Sequence, residues 1–200
     1  MTQLSFFGSD AAEPDVTDLA GLLVGPGQAV TRGDTARVSV VVTDDWRARA
    51  LTAGFVALGL EPEQAATRGD ATVVRCDFTP LLLPLVRAWH RGAVKHAPAG
   101  LSLSAGALRW WCTAAGRGTE GAGRGSAGGH LLGLGTNDEQ VWEPAGSALE
   151  AAGVRGALLG PRSGGPAYRV SGRRRLARLR ELVGDRPYGA PVADWPEPGA

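Results

Sequence analysis

Residues 89–117 read WHRGAVKHAPAGLSLSAGALRWWCTAAGR. The second half of this run, SAGALRWWCTA (104–114), has the composition of a buried helix. Ala107 is a small residue at which a second helix can approach closely. A candidate for that second helix lies near the N-terminus, where PDVTDLAGLLV (14–24) carries Ala20 and Gly21 and stops at Gly25-Pro26-Gly27.

Working outward from these helices, the same order of elements recurs. After the first helix come two strands, about 27–32 and 36–43, joined at Arg32-Gly33-Asp34. A helix over 44–59 follows, opened by Thr43-Asp44-Asp45. Strands near 60–67 and 71–78 are joined at Arg68-Gly69-Asp70, and Thr79-Pro80 starts a helix to about 91. After the second helix, a glycine-rich stretch (116–129) reads as a flexible, eroded hairpin. It leads to a strand at 129–135, a helix at 138–152, strands at 154–159 and 166–171, and a basic helix at 172–184. The expected architecture is α+β: tandem αββαββα repeats over 1–95 and 96–184, with an extended proline-rich tail over 185–200. Two antiparallel sheets would form a pseudo-symmetric saddle, with the two marked helices at the interface.

The chain has 200 residues, with 21 basic against 20 acidic side chains. Near-neutrality excludes a polycation held on nucleic acid by bulk charge. The charge is uneven, however: Arg169, Arg173, Arg174, Arg175, Arg178 and Arg180 crowd one acid-free segment. Cys76 and Cys112 form no CxxC, which fits a reduced setting, and no apolar run is long enough for a membrane span. A cytoplasmic protein without a membrane partner is expected.

The paired stretches resemble the LAGLIDADG homing endonucleases. LAGLLVGPG (19–27) matches the name-giving motif at Leu19, Ala20, Gly21, Leu22 and Gly27. Trp89, Gly92, Lys95, Pro98, Leu108, Trp110, Trp111 and Gly116 fit the frame around the second motif of double-motif members. Thr136, Glu139, Tyr168 and Val170 fit the repeat that follows. The resemblance implies a monomer with an internal pseudo-two-fold that lays its sheets along duplex DNA and reads base edges with outward strand side chains.

It also implies an acid at the eighth motif position, since Mg²⁺ is held through carboxylate oxygens. Here those positions are Pro26 and Ala115, and shifting the second frame by one supplies no acid. The expectation is therefore a DNA-binding protein without cleavage and without a cofactor, Mg²⁺ entering only with residual nuclease activity. Double-stranded DNA is the first candidate partner and RNA the second. One strand parity (Arg37 and Ser39; Arg75 and Asp77) is assigned to the groove. Arg87, Arg91, Lys95 and the 169–180 segment, with Arg169, Arg173, Arg174, Arg175 and Arg178, are assigned to phosphates, which fix position more than sequence. Two other readings stay open: an endonuclease using unconventional residues, and a protein-interaction module that has lost nucleic acid.

Several motifs have plainer accounts. Leu176, Leu179 and Val183 give the basic helix an apolar face, so its arginines can be a solvated one. Trp89, Trp110 and Trp111 read as core, and His90, His96 and His130 lack metal-ligand spacing. The repeated TRGD at 31–34 and 67–70 is hairpin chemistry. Gly116, Gly118 and Gly121 form a GxGxxG, but it follows a helix and opens none, so it is no dinucleotide loop.

Overall fold

In the computed structural model, which describes residues 13–67, 69–119 and 128–197, the first helix begins as a 3-10 turn at Val16–Leu19. It continues as α1 (Ala20–Val24). Asp15 caps its start by accepting from the Thr17 amide at 2.7 Å, and the Gly27 amide closes its end on the Leu22 carbonyl at 2.8 Å. The chain then builds β1 (Gln28–Arg32), β2 (Thr35–Val42), α2 (Asp45–Ala57), β3 (Pro62–Ala66) and β4 (Thr72–Cys76). A 3-10 turn at Pro80–Leu82 leads into α3 (Leu83–Ala88), which ends earlier than the sequence implied. Trp89 is buried at that end, and the chain reverses through a two-residue hairpin, β5 (His90–Arg91) and β6 (Val94–Lys95).

The second unit repeats this plan. It comprises α4 (Ala105–Ala115), β7 (Gly116–Thr119), β8 (Gly129–Gly133), α5 (Glu139–Ala151), β9 (Ala157–Leu159), β10 (Ala167–Ser171) and α6 (Arg173–Val183). The two four-stranded sheets are antiparallel and share one strand order, β1-β2-β4-β3 and β7-β8-β10-β9. This is the tandem α+β arrangement expected from the sequence.

Two expectations need correction. The start of the glycine-rich stretch is an ordered strand, because Gly116–Thr119 pairs with Gly129–Leu132 of β8. The ladder satisfies these backbone groups without side chains, so glycine content hid the strand. The remainder of that stretch, residues 120–127, lies outside the described residues, as does Arg68 of the second TRGD turn. The tail is not simply extended either. It makes a 3-10 turn at Val192–Asp194 and buries Trp195, whose indole donates to the Gly184 carbonyl at 3.0 Å.

Burial alternates with period two on β2 and along β4 from Val73, separating the faces of the first sheet, whereas on β8 Gly129 to Leu132 are all buried. Ala36, Val38, Val40 and Val42 on β2, with Val74 and Cys76 on β4, point into the helix layer. In the second sheet Leu132, Tyr168 and Val170 do the same, the Tyr168 hydroxyl donating to the Trp142 carbonyl of α5 at 2.8 Å. One apolar cluster runs through both units, including Leu22, Leu23, Phe55, Trp110 and Trp111. Burying a leucine or phenylalanine this fully is worth about 1.5–3 kcal/mol.

The seam of that cluster is α1 against α4. A Cβ on Gly21 would lie 1.8 Å from the Ala107 carbonyl oxygen, one on Gly25 2.9 Å from the Trp111 ring, and one on Gly106 2.2 Å from Asp18. The residue numbers rise together along the seam, so the helices run parallel and both C-terminal ends reach the same side. At the opposite end, Ser104 caps Ala107 at 2.9 Å and donates to buried Asp18 at 2.5 Å.

Candidate nucleic-acid interface and the two helix ends

The strand faces turned away from the helices carry the candidate interface. Register places Gln28, Val30 and Arg32 of β1 beside Ser39, Arg37 and Thr35 of β2, with Arg75 of β4 opposite Ser39 and Glu63 of β3 opposite Arg75. The parity expected for Arg37, Ser39 and Arg75 therefore holds, while Asp77, the fourth residue of that set, is exposed beyond the end of β4 at Cys76. On the second sheet, Arg117, Leu131, Arg169 and Ala157 form one cross-strand row. Five arginines thus share the two open faces, and Glu63 is the one acid among the described paired residues there.

Their availability differs. Arg75 is held by Glu63 in a two-toothed pair of 2.9 and 2.7 Å, which keeps the Glu63 carboxyl below its ordinary range. Arg32 and Arg37 both lie over the Phe78 ring, at 4.2 and 4.6 Å, so the ring orients two guanidinium planes while leaving their N–H edges free to bond. Arg117 donates to the Gly164 carbonyl at 2.9 Å. Arg32 and Arg117 escaped the sequence reading: the first sits beside a turn, the second inside the glycine run. Only the register that sets Arg32 beside Thr35 and Arg117 beside Leu131 places them on the open faces.

Of the other cations, exposed Arg87 lines a cleft with Val30 and Thr31 of the edge strand β1, and Arg91 is exposed on β5. Arg173, Arg174, Arg175 and Arg178 are exposed at the start of α6, in the helix layer. Lys95 is not on the surface, contrary to the expectation that it meets phosphate. It is 5 % exposed, and its ammonium donates to the carbonyls of Gly25 at 3.1 Å and Gly27 at 2.8 Å and pairs with Asp138 at 2.6 Å. Burial pulls its pKa below the lysine norm, and Asp138 opposes that pull.

The other helix end is closed in the same way. Buried Arg47 of α2 donates to the carbonyls of Cys112 (3.3 Å), Thr113 (2.9 Å) and Gly116 (2.6 Å) at the end of α4. Asp44 holds its Nε at 2.8 Å, and Asp194 of the tail lies 3.7 Å away. The carbonyl-rich end of a helix carries partial negative charge, and a fixed cation is its natural complement. Each cation closes the end of a motif helix, and each arrangement crosses from one repeat to the other.

The backbone matches solved structures at high probability over most of its length. A homing endonuclease, I-WcaI bound to its DNA recognition sequence, superposes with a TM-score of 0.63 at 12 % identity, covering 92 % of this chain and 83 % of that one. The N-terminal LAGLIDADG domain of DUF199/WhiA gives 0.59 at 10 %, covering 92 % and 88 %. The fold is that of the LAGLIDADG homing endonucleases. By sequence, no protein-family model and no curated protein matches the chain.

Against that LAGLIDADG frame the motif positions are legible. Gly27 immediately precedes β1 and Gly116 begins β7, so Pro26 and Ala115 occupy the equivalent half-buried places before them. These residues do not fit a divalent metal. Neither position offers a carboxylate, and the nearby helix-end carbonyls already face an ammonium and a guanidinium. Among the described residues no group of three or more His, Cys, Asp or Glu assembles a metal site, and no helix is long and apolar enough to cross a membrane.

Proposed function

We propose that the chain binds duplex DNA along its two open strand faces and does not cut it. The observation that carries the reading is the pair of LAGLIDADG-fold sheets with five arginines on their open faces, against one acid, Glu63, among the described strand-paired residues there and Asp77 just past the end of β4. Arg32 and Arg37, oriented by Phe78, together with Arg117 and Arg169, are the phosphate and base-edge contacts, and Arg87 and Arg91 flank the β1 edge. Arginine suits this role because its planar fork meets phosphate or guanine with two parallel hydrogen bonds.

The absence of cleavage is supported by the donor set at the helix ends. Hydrolysis of this kind needs a metal to stabilise charge and supply the nucleophile, contributions of several kcal/mol, and each ~1.4 kcal/mol lost slows the step tenfold. Lys95 and Arg47 hold the positions beside the carbonyls, and Pro26 and Ala115 supply no carboxylate. The chain acts as one molecule carrying both half-interfaces.

The test is binding to a mixed-sequence fluorescent duplex in Mg²⁺ at about 50 and 200 mM salt, the same samples being run on a denaturing gel. Binding that weakens steeply with salt while the duplex stays intact supports the reading. Mg²⁺-dependent cutting that co-purifies with the protein overturns its second half, and failure to bind at the lower salt overturns its first.

A further inference from the structure

A second cationic surface lies in the helix layer. We propose that Arg173, Arg174, Arg175 and Arg178 at the start of α6 bind the phosphate backbone of a second duplex segment while the open strand faces hold the first. This rests on the duplex-binding reading of the open faces.

All four side chains are exposed, and with Gly153, Ser171 and Gly172 they line one cleft. Arg173 and Arg174 make no ion pair among the described residues. Arg175 donates to the Ser171 carbonyl at 3.2 Å, and Arg178 pairs with Glu181 at 2.9 Å. The electrostatics are unfavourable for a helix standing alone. Three consecutive cations occupy the first turn, where the backbone amides are already positive, and no acid accompanies them. Elsewhere in the chain the first turns of α2 and α5 carry Asp45 and Glu139. Gly172 offers no side chain to the free amides. An anion at the cleft relieves both the charge repulsion and the uncapped amides.

The fixed geometry selects the kind of anion. From residue 173 to 178 the helix advances about 7.5 Å, over which each strand of duplex DNA presents roughly two phosphate charges. Arg173 and Arg174, which make no ion pair among the described residues, meet that spacing on one strand, with Arg175 and Arg178 flanking them. An acidic peptide reaches it only by ordering a flexible segment, with an entropic penalty. Leu176, Leu179 and Val183 pack inward, which sets α6 and these arginines in the helix layer rather than in the rows of the strand faces.

The experiment uses the full chain, a bead-bound duplex and a second, labelled duplex at about 50 mM salt. Wild-type protein on the beads is expected to retain the labelled duplex. The variant Arg173→Ala/Arg174→Ala/Arg175→Ala/Arg178→Ala is expected to bind the bead duplex within about threefold of wild type and to lose at least about tenfold of the retained label. Matching melting curves confirm that exposed side chains alone were altered. Wild type that occupies the beads but retains no label, or a variant that retains as much, overturns the proposal and leaves the open-face reading standing. Wild type that fails to occupy the beads overturns the open-face reading as well. Displacement of the label by polyglutamate as readily as by unlabelled duplex, at equal charge, overturns the choice of nucleic acid and assigns the surface to an acidic protein.

Discussion

The Lys95 ammonium lies 2.6 Å from Asp138 and bonds the Gly25 and Gly27 carbonyls, tying the end of α1 to the start of α5 in the other repeat. Arg47 makes the reciprocal tie, from α2 to the end of α4. Two internal cations therefore stand beside the helix ends around which the resemblance implied divalent metals.

Removing Lys95 leaves Asp138 and two carbonyls facing each other in a buried place. Lys95→Met is expected to destabilise the protein by about 3–5 kcal/mol, much of it from the stranded carboxylate. Adding Asp138→Asn should restore part of that loss. Urea unfolding of the two single variants and the double variant measures both effects; additive losses would contradict the pairing.

Metal should be thermally silent. A divalent ion bound at 100 times its Kd adds about 2.7 kcal/mol, which moves the melting temperature of a domain this size by several degrees. Melting curves in excess Mg²⁺ and in EDTA are expected to coincide.

The α1–α4 seam depends on the missing Cβ of Gly21. Gly21→Ala drives a methyl into the Ala107 carbonyl, which is backbone and cannot rotate away. A loss of at least about 3 kcal/mol is expected, of the size seen for severe core strain. Gly160→Ala is the control, since nothing lies within 4 Å of its added carbon and its φ is −76°. That variant is expected to be neutral or slightly stabilised in thermal unfolding.

His130 on β8 is 1 % exposed, and neither ring nitrogen has a hydrogen-bond partner among the described residues. Burial, and secondarily the Arg47 charge, lowers its pKa to about 3, so it is neutral in the folded state. The unfolded chain takes up a proton near 6.5, so stability from this group is intact above that pH and declines below it, by up to roughly 1.4 kcal/mol per pH unit. Urea unfolding at pH 7 and pH 5 should show a larger acid loss in wild type than in His130→Gln.

Most of the fold was legible because its signals are local. Breakers such as Gly25-Pro26-Gly27 ended helices, and Ala107 and Gly21 marked the seam by size alone. The strand at Gly116–Thr119 was not legible, since a ladder of backbone hydrogen bonds leaves no side-chain signature in glycine. The candidate interface was half legible. Parity placed Arg37 and Arg75 correctly, but register, a tertiary property, was needed to add Arg32 and Arg117 and to show Arg75 tied to Glu63. Lys95 was misplaced because its fit to the second motif's frame, beside Arg87 and Arg91, pointed to phosphate, and only the fold reveals that two helix-end carbonyls and Asp138 converge on it.

The central claim is that the open strand faces hold phosphates. Its most direct test is the salt dependence of duplex affinity for wild type and for Arg37→Ala/Arg169→Ala. Each lost phosphate contact removes about 0.9 from the slope of log affinity against log salt. The account predicts weaker binding at low salt and a slope shallower by about 2 in the double variant. An unchanged affinity and slope would contradict it.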